Sequence, residues 1–144
     1  DYQEHTAWDL YGGVGLFVPA LATAVQGKVI SVDYSPAATA GEQPGLAEFD
    51  VEVKSAKVEQ VAAQLPKPGA VVLDPPRTGA GEDVIRSVAA AAPQAVIHVG
   101  CDPATFARDL GYWDRFGYEI EKMALINAFP GTHHFETIAL ITPA

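Results

Sequence analysis

The chain reads as an α/β protein built on a mostly parallel sheet, and three observations lead there. Short apolar runs alternate with alanine-rich segments of helical spacing. Turns rich in glycine and proline separate many of them. The last two apolar runs follow one another with no helix between, which predicts an antiparallel pair closing one edge. With 144 residues, 49% of them hydrophobic, the chain suits one domain with a sizeable core.

Taken in order, residues 7–11 form the first strand, a glycine turn follows at 12–15, and 16–25 carry the apolar spacing of a helix. Residues 28–32 make the second strand, and Pro36 is placed to open a further helix. The third strand is expected within 48–54, where residues alternate, and a helix over 58–65. The fourth strand is 70–73, with a helix over 82–92. The fifth is 95–99, with a helix over 103–112 that Asp102 would cap and Pro103 would start. The terminal pair is 118–126 and 135–141. Gln43-Pro44-Gly45 and Pro66-Lys67-Pro68-Gly69 are turns, too short for domain linkers.

Composition narrows the function. Nine Lys and Arg against eighteen Asp and Glu give a formal charge of −9, which opposes binding a polyanion through general electrostatics. One cysteine, Cys101, excludes an internal disulfide and a cysteine-rich metal site. No apolar run approaches the roughly 20 residues of a membrane helix, and a soluble, cytoplasmic protein is expected.

In an open parallel sheet, ligands bind at the carboxyl ends of the strands. Polar residues collect there. Gly13-Val14-Gly15 follows the first strand, and Asp33 ends the second, where an acid can accept from both hydroxyls of a ribose. A dinucleotide site would add a third glycine, but that position is Val18, and the turn has no basic residue to hold a pyrophosphate. S-Adenosylmethionine is therefore favoured over a dinucleotide. After the fourth strand stands Asp74-Pro75-Pro76-Arg77-Thr78-Gly79, whose two prolines stiffen the backbone and hold Asp74 and Arg77 toward the crevice. After the fifth stands Cys101, a thiol at the start of a helix and a candidate nucleophile beside the alternative of a small buried hydrophobe. Glu136 interrupts apolar neighbours in the last strand and is a candidate general base, with His133 and His134 as competitors.

Four segments carry a resemblance. Asp9-Leu10-Tyr11-Gly12-Gly13-Val14-Gly15-Leu16-Phe17, residues 74–79, Cys101-Asp102-Pro103-Ala104-Thr105-Phe106-Ala107-Arg108-Asp109-Leu110 and residues 129–136 resemble the catalytic domain of the RNA uracil-5 methyltransferases. These enzymes make 5-methyluridine in transfer or ribosomal RNA with S-adenosylmethionine. The resemblance implies a Rossmann-like class I methyltransferase fold with Cys101 as nucleophile and Glu136 as proton acceptor. It places Tyr11, Gly13, Gly15, Asp33 and Asp74 at the donor, and Asp74 and Arg77 at the base, and it requires no metal. The family also has a glutamine-containing donor motif and a separate RNA-binding region upstream. Neither lies in this chain, which is therefore expected to be the carboxyl-terminal catalytic part of a longer enzyme, its RNA contacts supplied from elsewhere.

The chain departs from the family pattern at several positions. Gly12 stands where cysteine is usual, Leu16 where asparagine is frequent, and Gly100 and Asp102 flank Cys101 where serine and asparagine are usual. The acid expected after the third strand is replaced by Lys57, with Asp50 as an out-of-register substitute. Two other functions fit the motifs: methylation of an exocyclic amino group, for which Asp74-Pro75-Pro76 suffices, and a donor-binding scaffold without turnover.

Overall fold

The computed structural model describes residues 6–11, 18–33, 50–127 and 135–144. Expectations for Gly13, Gly15, Pro36, His133 and His134 lie outside these residues. Within them the order is β1 (Thr6–Leu10), α1 (Val18–Val25), β2 (Lys28–Val32), β3 (Val51–Lys54), α2 (Val58–Val61), β4 (Ala70–Leu73), α3 (Glu82–Ala90), β5 (Ala95–Gly100), α4 (Pro103–Arg115), β6 (Tyr118–Asn127) and β7 (Phe135–Pro143).

One sheet runs in the order β3-β2-β1-β4-β5-β7-β6. The first five strands are parallel, and β7 joins β5 antiparallel with β6 outside it, as the missing helix predicts. Strand order reverses between β1 and β4, so the carboxyl ends of these strands diverge around a crevice.

The period of two divides the strand residues between two cores. Trp8, Leu10, Ile30, Val32, Val71, Leu73 and Val96 face α3 and α4, whose Val84, Ile85, Val88, Phe106 and Trp113 close the larger core. Ala7, Val29 and Val72 face α1 through Leu21, Ala22 and Val25. That second face also carries two polar side chains, Asp9 and Ser31, which are register partners on β1 and β2 and are both buried.

The expected helix over 58–65 is one α-helical turn, α2, followed by a 3-10 turn over Ala62–Gln64. Only Val58, Ala62 and Leu65 of this stretch are buried, which is little apolar surface to hold a longer helix. Helix α4 instead runs three residues past its expected end, to Arg115, because Trp113 is fully buried and donates its indole N–H to His98 Nδ1 at 2.9 Å. At the outer edge, β6 leaves Ile120, Met123, Leu125 and Ile126 exposed. No described helix is long and apolar enough to cross a membrane.

Candidate active site at the carboxyl ends of the strands

Tyr11 leaves β1 with φ 60°, and its amide donates to Val32 O at 2.8 Å, so the chain turns sharply at the mouth of the crevice. Asp33 is fixed at the end of β2, its amide donating to Lys54 O at 3.1 Å and its carbonyl accepting from Ala56 N at 3.2 Å. Tyr11 and Asp33, with Ala56, Lys57, Val58 and Glu59, line a cavity of about 240 Å³. Burial, then the charges of Glu59, Asp109 and Asp33, push the Tyr11 phenol up to about 12, so it stays a neutral hydrogen-bonding group.

Lys57 lies at this cavity, as its place after β3 predicts. Asp50 does not. It precedes β3 and its carbonyl accepts from Val29 N, which places it at the amino end of the sheet. Glu59, two residues beyond Lys57, is the acid that lines the cavity. Sequence reasoning passed over Glu59 because a glutamate in a short exposed helix looks like ordinary solvated surface.

Asp9 was also passed over as part of the first strand, although an acid inside the run Ala7-Trp8-Asp9-Leu10 is a signal. It is 0% exposed. Oδ2 accepts from Ser31 Oγ at 3.4 Å, and Oδ1 has no partner among the described residues. Burial raises its carboxyl to about 7, the Ser31 hydrogen bond opposes this, and Asp74 and Asp33 add to it.

Across the switch point, Asp74 ends β4, its amide donating to Leu10 O at 3.3 Å. Its carboxyl is raised by burial and by Glu136, against a lowering effect of His98, so Asp74 and Glu136 lie within electrostatic reach of each other. Cys101 follows β5 and is half-buried. Gly100, the last paired residue of β5, is opposite Thr137 of β7, so Cys101 and Glu136 are each the chain neighbour of this terminal pair. Cys101, Glu136 and Asp74 thus lie at the same edge of the sheet, at the ends of the neighbouring strands β5, β7 and β4.

The cap of α4 forms as expected. Asp102 Oδ1 accepts from Ala104 N at 2.9 Å and Thr105 N at 3.2 Å, so its charge is directed to the helix amides. Gly100 has a packing reason: a Cβ there would overlap the Phe106 ring, which leaves no room for the usual serine while Phe106 fills that space. Arg77 is exposed, and its backbone carbonyl accepts from Thr105 Oγ1 at 2.7 Å.

A mostly parallel α/β sheet whose acidic crevice lies at the switch point, with an antiparallel pair beyond β5, is the architecture of the Rossmann-like methyltransferases. The model of the tRNA (uracil-5-)-methyltransferase family matches residues 56–143, and the chain belongs to that family. It is 55% identical over 140 residues to an uncharacterised RNA methyltransferase of Corynebacterium glutamicum, covering 97% of this chain and 34% of that protein. It is 34% identical over 141 residues to the 23S rRNA (uracil(747)-C(5))-methyltransferase RlmC of Shewanella halifaxensis, covering 94% of this chain and 37% of that one. The structure of Pyrococcus abyssi tRNA (uracil-54, C5)-methyltransferase with S-adenosyl-L-homocysteine superposes with a TM-score of 0.81 at 29% identity, over 94% of this chain and 34% of that one. The chain thus spans about a third of the length of these relatives.

Proposed function

We propose that this chain is the carboxyl-terminal catalytic domain of a longer, cytoplasmic, S-adenosylmethionine-dependent enzyme that makes 5-methyluridine in transfer or ribosomal RNA. The observation that supports this reading is that Cys101, Glu136 and Asp74 lie at one edge of the sheet, Cys101 and Glu136 each next to the Gly100–Thr137 pair and Glu136 within electrostatic reach of Asp74.

The crevice fits the donor by charge. S-Adenosylmethionine bears a sulfonium and an ammonium, and Asp33 and Glu59 line the cavity while the buried Asp9 has one oxygen without a partner among the described residues. Tyr11, Asp33 and Glu59 would hold the adenosine end, with the turn at Gly13 and Gly15 near the remainder. When bound, the donor supplies an electrophilic methyl group.

The chain's own residues supply the rest. Carbon 5 of uracil is a weak nucleophile, and addition of the Cys101 thiolate at carbon 6 moves electron density onto it. Asp74 and Arg77 orient the ring and steady the charge that develops on it. Once carbon 5 carries the methyl group, Glu136 removes its proton, and the carbon–sulfur bond breaks to return the thiolate. With a net charge of −9, the domain is poorly suited to hold phosphates, so RNA affinity would come from a basic region outside it.

The test uses the full-length protein with RNA and S-adenosylmethionine. Glu136→Gln should form the adduct and stall, giving a slow band on a denaturing gel that the added change Cys101→Ala removes. Cys101→Ala alone should leave donor affinity within a few-fold yet abolish 5-methyluridine. Normal turnover by Glu136→Gln without that band would move the base elsewhere. An N-methylated product would make the enzyme an amino-group methyltransferase with Cys101 incidental.

A further inference from the structure

Helix α4 does more than present a cap behind Cys101, because one side of it grips the loop that follows β4. Thr105 Oγ1 donates to Arg77 O at 2.7 Å. Arg108 Nη2 donates to Thr78 O at 2.8 Å and to Asp109 Oδ1 at 3.0 Å. Asp109, 0% exposed, accepts the Ala80 amide on Oδ2 at 2.7 Å and the Gly81 amide on Oδ1 at 3.2 Å. Four of the five residues from 77 to 81 are therefore fastened to one helix.

The loop is shaped to be held this way. Gly79 and Gly81 have φ of +83° and +87°, which turns the intervening amides inward. A Cβ on Gly79 would stand 2.5 Å from Arg108 Nη2 and 2.7 Å from Asp109 Oδ2. Behind Asp109 lies His98. Its Nδ1 takes the Trp113 indole N–H, which can only donate, so the neutral ring carries its hydrogen on Nε2, 3.5 Å from Asp109 Oδ2. The carboxylate is thus held by donors from the loop and from its own helix, with the His98 ring of β5 packed behind it.

The two ends of this assembly are the two halves of the base site. Loop 74–81 begins with Asp74 and Arg77, and α4 begins two residues after Cys101. We propose that Asp109, assisted by Thr105 and Arg108, is a positioning residue that locks the Asp74–Arg77 loop to the nucleophile helix, so that thiol and ring-orienting groups keep one spacing. The inference rests on the uracil-5 methylation reading. The cavity residues Tyr11, Asp33 and Glu59 belong to other elements, and only the charge of Asp109 reaches the Tyr11 phenol, so the larger effect of losing the grip falls on the base. Displacement of a reacting group by an ångström can cost about a hundredfold in rate.

The experiment measures, in the full-length protein, kcat and KM for RNA, the Kd for S-adenosylmethionine and hydrogen exchange of the loop amides. Asp109→Asn should lower kcat/KM by about thirtyfold or more and speed exchange at Ala80 and Gly81, with donor Kd within about twofold of the unaltered protein. Thr105→Val, at a half-buried position that tolerates change, should lower kcat/KM about fivefold, and Thr105→Ser should restore it. If Asp109→Asn fails to fold, the Thr105 pair carries the test. Unchanged kcat/KM in Thr105→Val, or a valine defect that serine does not rescue, overturns the proposal. So does a loss of donor affinity in step with activity, which would mark general unfolding. If the unaltered protein makes no 5-methyluridine, the underlying reading falls and the positioning role falls with it; unaltered activity with indifferent variants defeats the positioning role alone.

Discussion

Two aspartates in this molecule are equally buried and behave in opposite ways. Asp9 on the donor side and Asp109 on the base side are both 0% exposed. Among the described residues Asp9 has one hydroxyl donor and two nearby carboxylates, and its carboxyl rises to about 7. For Asp109 burial is also the largest single influence, yet His98, the Ala80 amide and Arg108 together outweigh it and hold its carboxyl below the usual 3.8. Burial sets the size of the electrostatic stake, and the count of donors sets its sign. The base side is finished by its own side chains and amides. Among the described residues, the proposed donor side sets Asp9, Asp33 and Glu59 against Lys57, an excess of negative charge that a cationic donor would offset.

The sharpest way to break the comparison is to neutralise both acids in turn. Asp109→Asn should destabilise the fold by about 3 kcal/mol at pH 7, since it removes the charge facing Arg108 and turns one of the two acceptor oxygens into an NH2 that confronts other N–H donors. Its stabilisation is present above about pH 3.8 and is lost only as pH falls through the lower folded value. Asp9 has the opposite slope. Folded, it holds its proton up to about pH 7, and unfolded only to 3.8, so stability falls as pH rises between those values and the cost is complete above 7. Asp9→Asn should therefore raise stability at pH 8 by about 2 kcal/mol and do little at pH 4. Urea unfolding of the four variant and pH combinations checks both signs; a destabilised Asp9→Asn at pH 8 would mean that a cation already pairs with it.

A smaller effect tests how tightly the base side is closed. Gly79 and Gly81 share a positive φ, but only Gly79 has Asp109 and Arg108 against its missing Cβ. Alanine at Gly81 should cost about 1 kcal/mol from backbone strain, and alanine at Gly79 about 2 kcal/mol or more, with faster exchange at Ala80 only in the latter. Equal costs would mean that the helix yields freely. The smallest effect belongs to the surface. Arg86 bridges Glu82 and Asp83 at 2.9 and 3.0 Å but is 54% exposed, and Arg86→Ala should cost less than about 1 kcal/mol, most of it gone in high salt. A larger loss would point to its contact with the Phe116 ring.

Much of the candidate site was legible because strand ends in a parallel sheet collect ligand-binding groups. Cys101, Asp74, Tyr11 and Asp33 all fall at carboxyl ends, where the run of apolar residues before each one places them. Lys57 was legible for the same reason. Glu59 was not, because α2 is too short for periodicity to say which side chains face the crevice. Asp50 misled because its distance from the cavity depends on where β3 starts, and alternation alone leaves that start free by a few residues. Asp109 was quoted within a motif without a role, since its partners at Ala80 and Gly81 are nearly thirty positions away.

By itself the sequence determined what short-range chemistry can determine. Apolar alternation set which segments are strands, Asp102 followed by Pro103 set where α4 begins, and the absence of a helix after residue 118 set the antiparallel edge. Each depends on residues within a turn or a strand length of one another. Tertiary structure decided the rest: the pairing of β5 with β7 that brings Cys101 and Glu136 to one edge of the sheet, and the several donors gathered by Asp109 where Asp9, among the described residues, has the Ser31 hydroxyl. Those outcomes depend on which distant groups arrive beside a buried charge and how much water they displace, and only the folded chain brings both about.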